Sequence, residues 1–203
     1  MKKIVFLLMF VDFIFTFGSG LYGPIYAIFV NQVGGDILEA GIAWSIFMVV
    51  MGTLEIPFGK MADKYSKKLF LSLSYALASL AIFGYIFVSS VVQLFLLQIL
   101  VGVAFAMGDP AWDSWFSEVI PRKERGFSFA AFHALSSYSQ AIAAVVGGLM
   151  AQFIGFHFLF FVGGVIGIIS VVMTLTLKED GSRKIIWHRH RIFKKRYNRR
   201  LPD

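Results

Sequence analysis

Four carboxylates and one imidazole lie within or beside long apolar stretches of this 203-residue chain: Asp12, Glu55, Asp109, Asp113 and His133. Such groups in hydrocarbon can carry a proton, hold a cation or hydrogen-bond a polar solute. An ionised side chain there costs about 2.5 to 3.5 kcal/mol, so each must face protein or water. Their spacing aligns them with neutral polar residues. Gln98, Gly102, Ala106, Asp109 and Asp113 are three or four positions apart and share one helix face, as do His133, Ser136, Ser137 and Gln140. Both series read as cavity-lining stripes. Gly41, Ser45, Met48, Gly52, Glu55 and Gly59 form a third series, whose small residues suit close helix packing. With no cysteine, the chain has neither thiolate chemistry nor disulfides. The pattern predicts no metal ligands, no catalytic residues and no cofactor.

Each group has two readings. Asp12 is a protonatable coupling site or a carboxylate hydrogen-bonded between helices. Asp109 and Asp113 are a cavity-facing relay or, as preferred from their nearness to the chain's basic loop, ion-pair partners of Arg122, Lys123 or Arg125. His133 is a proton shuttle or, the preferred reading, a satisfied buried imidazole. Glu55 reads as a structural residue at an inner gate, and Trp112 and Trp115 read as interfacial anchors. Pro24, after Gly18, Gly20 and Gly23, predicts a kink.

The elements that must position these groups are helices crossing a bilayer. At 58% hydrophobic, 17% aromatic and 15% charged, with mean hydropathy +0.74, the chain has too little polar surface for a soluble domain of its size. A span needs about 20 mostly apolar residues. Six stretches qualify: Ile4 to Val30, Ala40 to Phe58, Leu69 to Val88, Val91 to Phe116, Phe127 to Ile154 and Phe156 to Leu177. They are too long, and lack the period-two alternation, for barrel strands. The apolar run continues past any signal-peptide cleavage point, so the first stretch reads as an uncleaved helix.

Charge orients the bundle. Lys2 and Lys3, then Lys60, Lys64, Lys67 and Lys68, then Arg122, Lys123 and Arg125 occupy alternate gaps, and the other ten basic residues follow the last span. The gaps at Val33 to Leu38, Ser89 to Val92 and Gly155 to His157 hold no Lys or Arg. The positive-inside bias then places both termini in the cytoplasm and the chain in the cytoplasmic membrane as a multi-pass protein. The net charge of +7 resides in the tail, so it is no sign of a nucleic-acid-binding body, and no nucleic-acid partner is expected. The tail from 178 to 203 repeats Ile185, Ile186, Phe193 and Tyr197 among basic residues, which predicts an amphipathic segment on the anionic inner leaflet or a basic linker. The third and sixth spans carry no charge and read as lipid-facing.

Gly59-Lys60-Met61-Ala62-Asp63-Lys64-Tyr65-Ser66-Lys67-Lys68 resembles the cytoplasmic signature of the major facilitator superfamily, G-x-L-A-D-R-x-G-R-K. Ser66 stands for the second glycine, and lysines stand for arginines. The segment from Ser117 to Gly126, with Arg125 and Gly126, is similar to that family's loop between helices 4 and 5. The resemblance implies an all-α half bundle over 1–177 made of two three-helix repeats. Helices 1, 2, 4 and 5 would lie nearer the substrate path, and the tail would match the start of the central loop. It also implies a transporter of a small solute working by alternating access, with Glu55, Gly59, Asp63, Lys67 and Lys68 at the gate. Asp12, Gln98, Asp109, Asp113, His133 and Gln140 would lie at the cavity. Family members have two such halves, so the expected partners beyond the bilayer and the solute are a second half or another copy of the chain. Gln98 replaces the arginine of proton-coupled drug exporters, and Ala143-Ala144 replace their Gly-Pro pair, so the drug/proton antiporter assignment is declined. Two other classes were weighed. A truncated, non-transporting fragment or assembly partner follows from the single half. An intramembrane protease follows remotely from Gly108-Asp109, but Ala106 breaks the G-x-G-D element and no Tyr-Asp partner occurs.

Overall fold

The structure, a computed structural model, describes residues 3–179; the expectation for the basic tail lies outside those residues. The described residues form seven α-helices and three short 310 turns, the helices being α1 (Lys3–Gly20), α2 (Tyr26–Gln32), α3 (Ile37–Ala62), α4 (Lys67–Gly84), α5 (Val91–Val119), α6 (Arg125–Phe153) and α7 (Phe156–Thr176). α1 and α2 together form one crossing, so six stretches are long and apolar enough to span a membrane. The first is broken at Leu21 and Tyr22, before a 310 turn at Gly23–Ile25 that carries Pro24. Proline supplies no N–H to Gly20, and its ring disfavours the helical conformation at Gly23.

Local signals set the ends. Asp36 caps α3 in a reciprocal box: Leu38 N–H donates to its Oδ1 at 2.6 Å, and its own N–H donates to Glu39 Oε2 at 2.9 Å. Ser66 and Ser90 cap α4 and α5. Gly155 turns the chain between α6 and α7 at φ +106°, where a side chain would be strained. Helices outrun the apolar stretches. α3 continues to Ala62, so Gly59 to Ala62 is helical rather than loop, and α5 continues to Val119. Hydropathy marks the hydrocarbon slab, whereas Lys60 and Glu118 are good helix formers and extend the helices beyond it.

Packing follows one order. α3 lies on α5, α5 on α4, α4 on α7, α7 on α1, and α1 on α6. Exchanging the first three crossings for the last three (α1 for α5, α3 for α6, α4 for α7) maps this ladder onto itself. That is the contact pattern of two equivalent three-helix repeats. The equivalent crossings of α3 on α5 and α6 on α1 both close over a glycine. A Cβ on Gly102 would stand 2.9 Å from the Phe47 carbonyl oxygen, and one on Gly147 would run into the backbone of Leu21. α3 and α6 end the ladder and bury the least of their length.

Two apolar clusters fill the bundle. Near the Lys67 loops, Val5, Leu8, Leu71, Trp112, Trp115 and Phe116 pack together. At the other end, Phe29, Tyr85, Phe156 and Phe160 interlock, with Tyr85 and Phe160 stacked at 4.9 Å. Trp112 and Trp115 are 5% and 1% exposed, which corrects their assignment as interfacial anchors. Both fall on the face of α5 that packs inward, Trp112 stacked on the rings of Phe116 and Phe132 and Trp115 in the same buried cluster.

Candidate functional site

A cavity of about 500 Å³ opens between the helices. α1, α5 and α6 supply most of its wall, α4 contributes Leu71, Ser74 and Tyr75, α3 contributes Trp44 and Phe47, and α7 contributes nothing. α4 is therefore not purely peripheral. Its uncharged sequence hides Tyr75, which reaches between α1 and α5 to the polar centre.

That centre is Asp12. Its carboxylate accepts hydrogen bonds from Thr16 Oγ1 at 3.2 Å on its own helix, Ser136 Oγ at 3.2 Å on α6 and Tyr75 OH at 3.4 Å on α4. One turn along α6, Ser139 Oγ donates to the Phe13 carbonyl at 2.7 Å and ties the same two helices. Three hydroxyl donors from three helices compensate a carboxylate taken out of water, so Asp12 sits in a cage built for it. Among the described residues no Lys or Arg joins the cage.

Asp109 and Asp113 stand one turn apart on α5, both open to the cavity. The expected ion pairs with the basic loop do not form. Arg125 instead donates to the Ser117 carbonyl oxygen at 3.1 Å, and among the described residues the one ion pair joins Lys67 to Glu118 at 2.9 Å. The two aspartates lie two and one turns before Trp115 and Phe116, inside the wall, while the arginines lie beyond the end of α5. Helical rise places them too far along the axis to meet. His133 is likewise open to the cavity rather than buried, because its face of α6 looks across the gap toward α5. Gln140 lines the same wall two turns on. Gln98 is 3% exposed and donates through Nε2 to the Tyr26 hydroxyl. Glu55 is half-buried on α3 and lies outside the cavity lining, within electrostatic reach of Asp109.

The signature residues form a separate cluster. Gly59 faces Pro110 of α5, where a Cβ would make an ordinary contact at 3.7 Å. Asp63 is the residue that closes α3, its N–H bonded to the Gly59 carbonyl at 3.1 Å and its side chain exposed. Lys67 is buried against Glu118, and Lys68 is half-buried beside it. Arg125 closes the neighbouring loop through Ser117, and Gly126 is exposed on the first turn of α6. Glu179, just past the last span, accepts from the Lys67 backbone N–H at 3.1 Å and from the Ser66 hydroxyl, placing a negative charge at the N-terminus of α4.

Sequence reasoning missed Thr16, Tyr75 and Ser136 as partners of Asp12, Tyr26 as the partner of Gln98, and Glu118 and Glu179 at the loops. Only Ser136 carried a signal, its place in the α6 stripe.

A family model described as Major Facilitator Superfamily matches residues 8–195. The chain is 26% identical over 180 residues to an uncharacterized MFS-type transporter of Methanocaldococcus jannaschii, covering 89% of this chain and 47% of that protein. It is 26% identical over 161 residues to the uncharacterized MFS-type transporter YitZ of Bacillus subtilis, covering 78% of this chain and 97% of that one. It is 23% identical over 180 residues to the quinolone resistance protein NorA of Staphylococcus aureus, covering 89% and 46%. The chain thus spans about half the length of two of these relatives and matches nearly all of the third.

Proposed function

The chain belongs to the major facilitator superfamily, and we propose that it forms one six-helix lobe of a secondary transporter that moves a small solute by alternating access. Membership makes it a multi-pass membrane transporter of a family that is in general not enzymatic. In the proposed arrangement residues 1–177 form the lobe, and 178–203 begin the link to a second lobe or contact the inner leaflet. Both termini face the cytoplasm, and Gly59, Asp63, Lys67 and Lys68 lie at the inner gate. The single observation that carries the reading is the cavity, whose polar centre draws Asp12, Tyr75 and Ser136 from three helices and whose flanking helices α3 and α6 are left largely exposed. A second lobe, either another chain or another copy of this one, would close it. Asp12 is the proposed coupling residue, and Asp109, Asp113, His133, Gln98 and Gln140 are the proposed solute-facing residues.

Because the chain has no cysteine, single cysteines report cleanly on this arrangement. Lys64→Cys should react with an impermeant maleimide only after the membrane is opened, and Ser89→Cys should react from outside. Gln140→Cys, in the cavity, should be reachable from either side once two lobes are paired. Reaction at Gln140→Cys from one side under every condition overturns alternating access. A second reading, a lobe that assembles without carrying solute, is favoured by the same exposed flank; it predicts paired lobes with no solute flux in proteoliposomes.

A further inference from the structure

We propose that the solute taken by this cavity is an aromatic organic cation, its charge held among Asp12, Asp109 and Asp113 and its ring against the Trp112–Phe132 stack. The inference rests on the transport reading and adds the substrate class.

The sign of the site comes from several independent features. Its carboxylates, Asp12, Asp109 and Asp113, arrive on two different helices, and no Lys or Arg occurs among the described residues that line it. The broken first span adds to this charge. α1 stops at Gly20 on the cavity wall, so the negative pole of that helix ends there, and Pro24 offers no N–H to the Gly20 carbonyl. Gly20, Gly23 and Pro24 all line the space, which places main chain rather than side chains against a bound solute.

The wall that faces these charges is aromatic. Trp112 and Phe132 stack at 3.8 Å and 27°, and Phe15 and Tyr75 stack at 3.9 Å and 20°. Ring faces are negative and attract cations, most strongly for indole. Trp112 is 5% exposed, and its indole N–H is buried without a hydrogen-bond partner. A bare metal ion is the wrong size for the site. Among the described residues no three His, Cys, Asp or Glu side chains converge closely enough to hold one, whereas an organic cation can span separated carboxylates. A volume of about 500 Å³ is of the size that takes drug-sized ligands.

Three probes with one ring system test the sign. N-methylphenanthridinium, neutral phenanthridine and phenanthridine-6-carboxylate are titrated into the full chain in nanodiscs of uncharged lipid, with ring fluorescence as the readout. The methylated cation should bind at least tenfold more tightly than the other two. Asp109→Asn, which faces the open cavity, and Asp12→Asn should each weaken it at least tenfold, while Trp112→Phe should weaken it only severalfold because the stack survives. Equal binding of the neutral or anionic ring, or unchanged cation binding in both asparagine variants with intact folding by circular dichroism, overturns the proposal. The transport reading fails separately. If the cation binds but neither it nor any other solute crosses proteoliposomes carrying paired lobes, alternating access is lost and the cation site stands. Flux of an uncharged solute with no cation binding sinks the substrate class alone.

Discussion

Charge is handled in opposite ways at the loops and in the cavity. At the loops, Lys67 is buried against Glu118, Arg125 is tied to the Ser117 carbonyl oxygen, and Glu179 sits on the N-terminus of α4. In the cavity, Asp12 is held by hydroxyls alone, and Asp109 and Asp113 pair with no Lys or Arg among the described residues, His133 being the one imidazole on the same wall. Both regions place ionisable groups at the edge of or within hydrocarbon, where compensation is required. The loops compensate with opposite charge and so hold helices together. The cavity compensates incompletely, with hydroxyls on Asp12 alone, and is left able to accept a cation from outside. The lesson is that a matched pair marks structure, whereas a carboxylate caged by neutral donors marks a place where something comes and goes.

The division can be broken by four substitutions, ordered by expected effect. Lys67→Met removes the charge-assisted bond to Glu118, whose own side chain is partly open, and should lower stability by about 2 kcal/mol in a denaturant titration in micelles. The double variant Lys67→Met/Glu118→Leu should recover much of that loss. If the single variant unfolds no more easily than the parent, the loop charges are not structural. Gln98→Leu strands the buried Tyr26 hydroxyl and should cost about 2 kcal/mol in the same titration, and adding Tyr26→Phe should restore most of it. Asp109→Asn should do the reverse of Lys67→Met. Its stability should stay within about 0.5 kcal/mol of the parent, since the group faces an open cavity. Cation binding should fall tenfold, about 1.4 kcal/mol, by fluorescence titration. A large loss of stability there would erase the contrast. Glu179→Gln removes a charge from the start of α4 and should cost about 0.5 to 1 kcal/mol, read as a small drop in thermal midpoint that added salt makes smaller still.

What was legible in the sequence follows from what a one-dimensional pattern can encode. The six crossings come from runs of apolar residues, and their cores coincide with the helices found. The ends do not, because Lys60 and Glu118 extend helices beyond the slab that hydropathy measures. The α5 and α6 stripes put Asp109, Asp113, His133 and Gln140 on the cavity, since spacing by three and four fixes a face. Partners across helices were not legible. Tyr75 lies 63 residues from Asp12 and Ser136 lies 124, and nothing along the chain announces that α4, α1 and α6 converge. The error at Trp112 and Trp115 has the same root: an indole near a helix end suits an interface as well as a core, and only the packing of α5 decides. The pairing of Asp109 with basic loop residues failed because nearness in sequence was taken for nearness along the helix axis.

The palindromic helix order carries a further consequence. Each triplet of crossings enters from the face opposite to the other, so exchanging them is the same operation as turning the bundle upside down in the bilayer. A scaffold wired this way has no top or bottom of its own. What can tell its two faces apart is the placing of lysines and arginines at the loops, so moving exposed ones such as Lys60 and Lys64 should shift the balance between the two insertions while the Lys67–Glu118 pair stays.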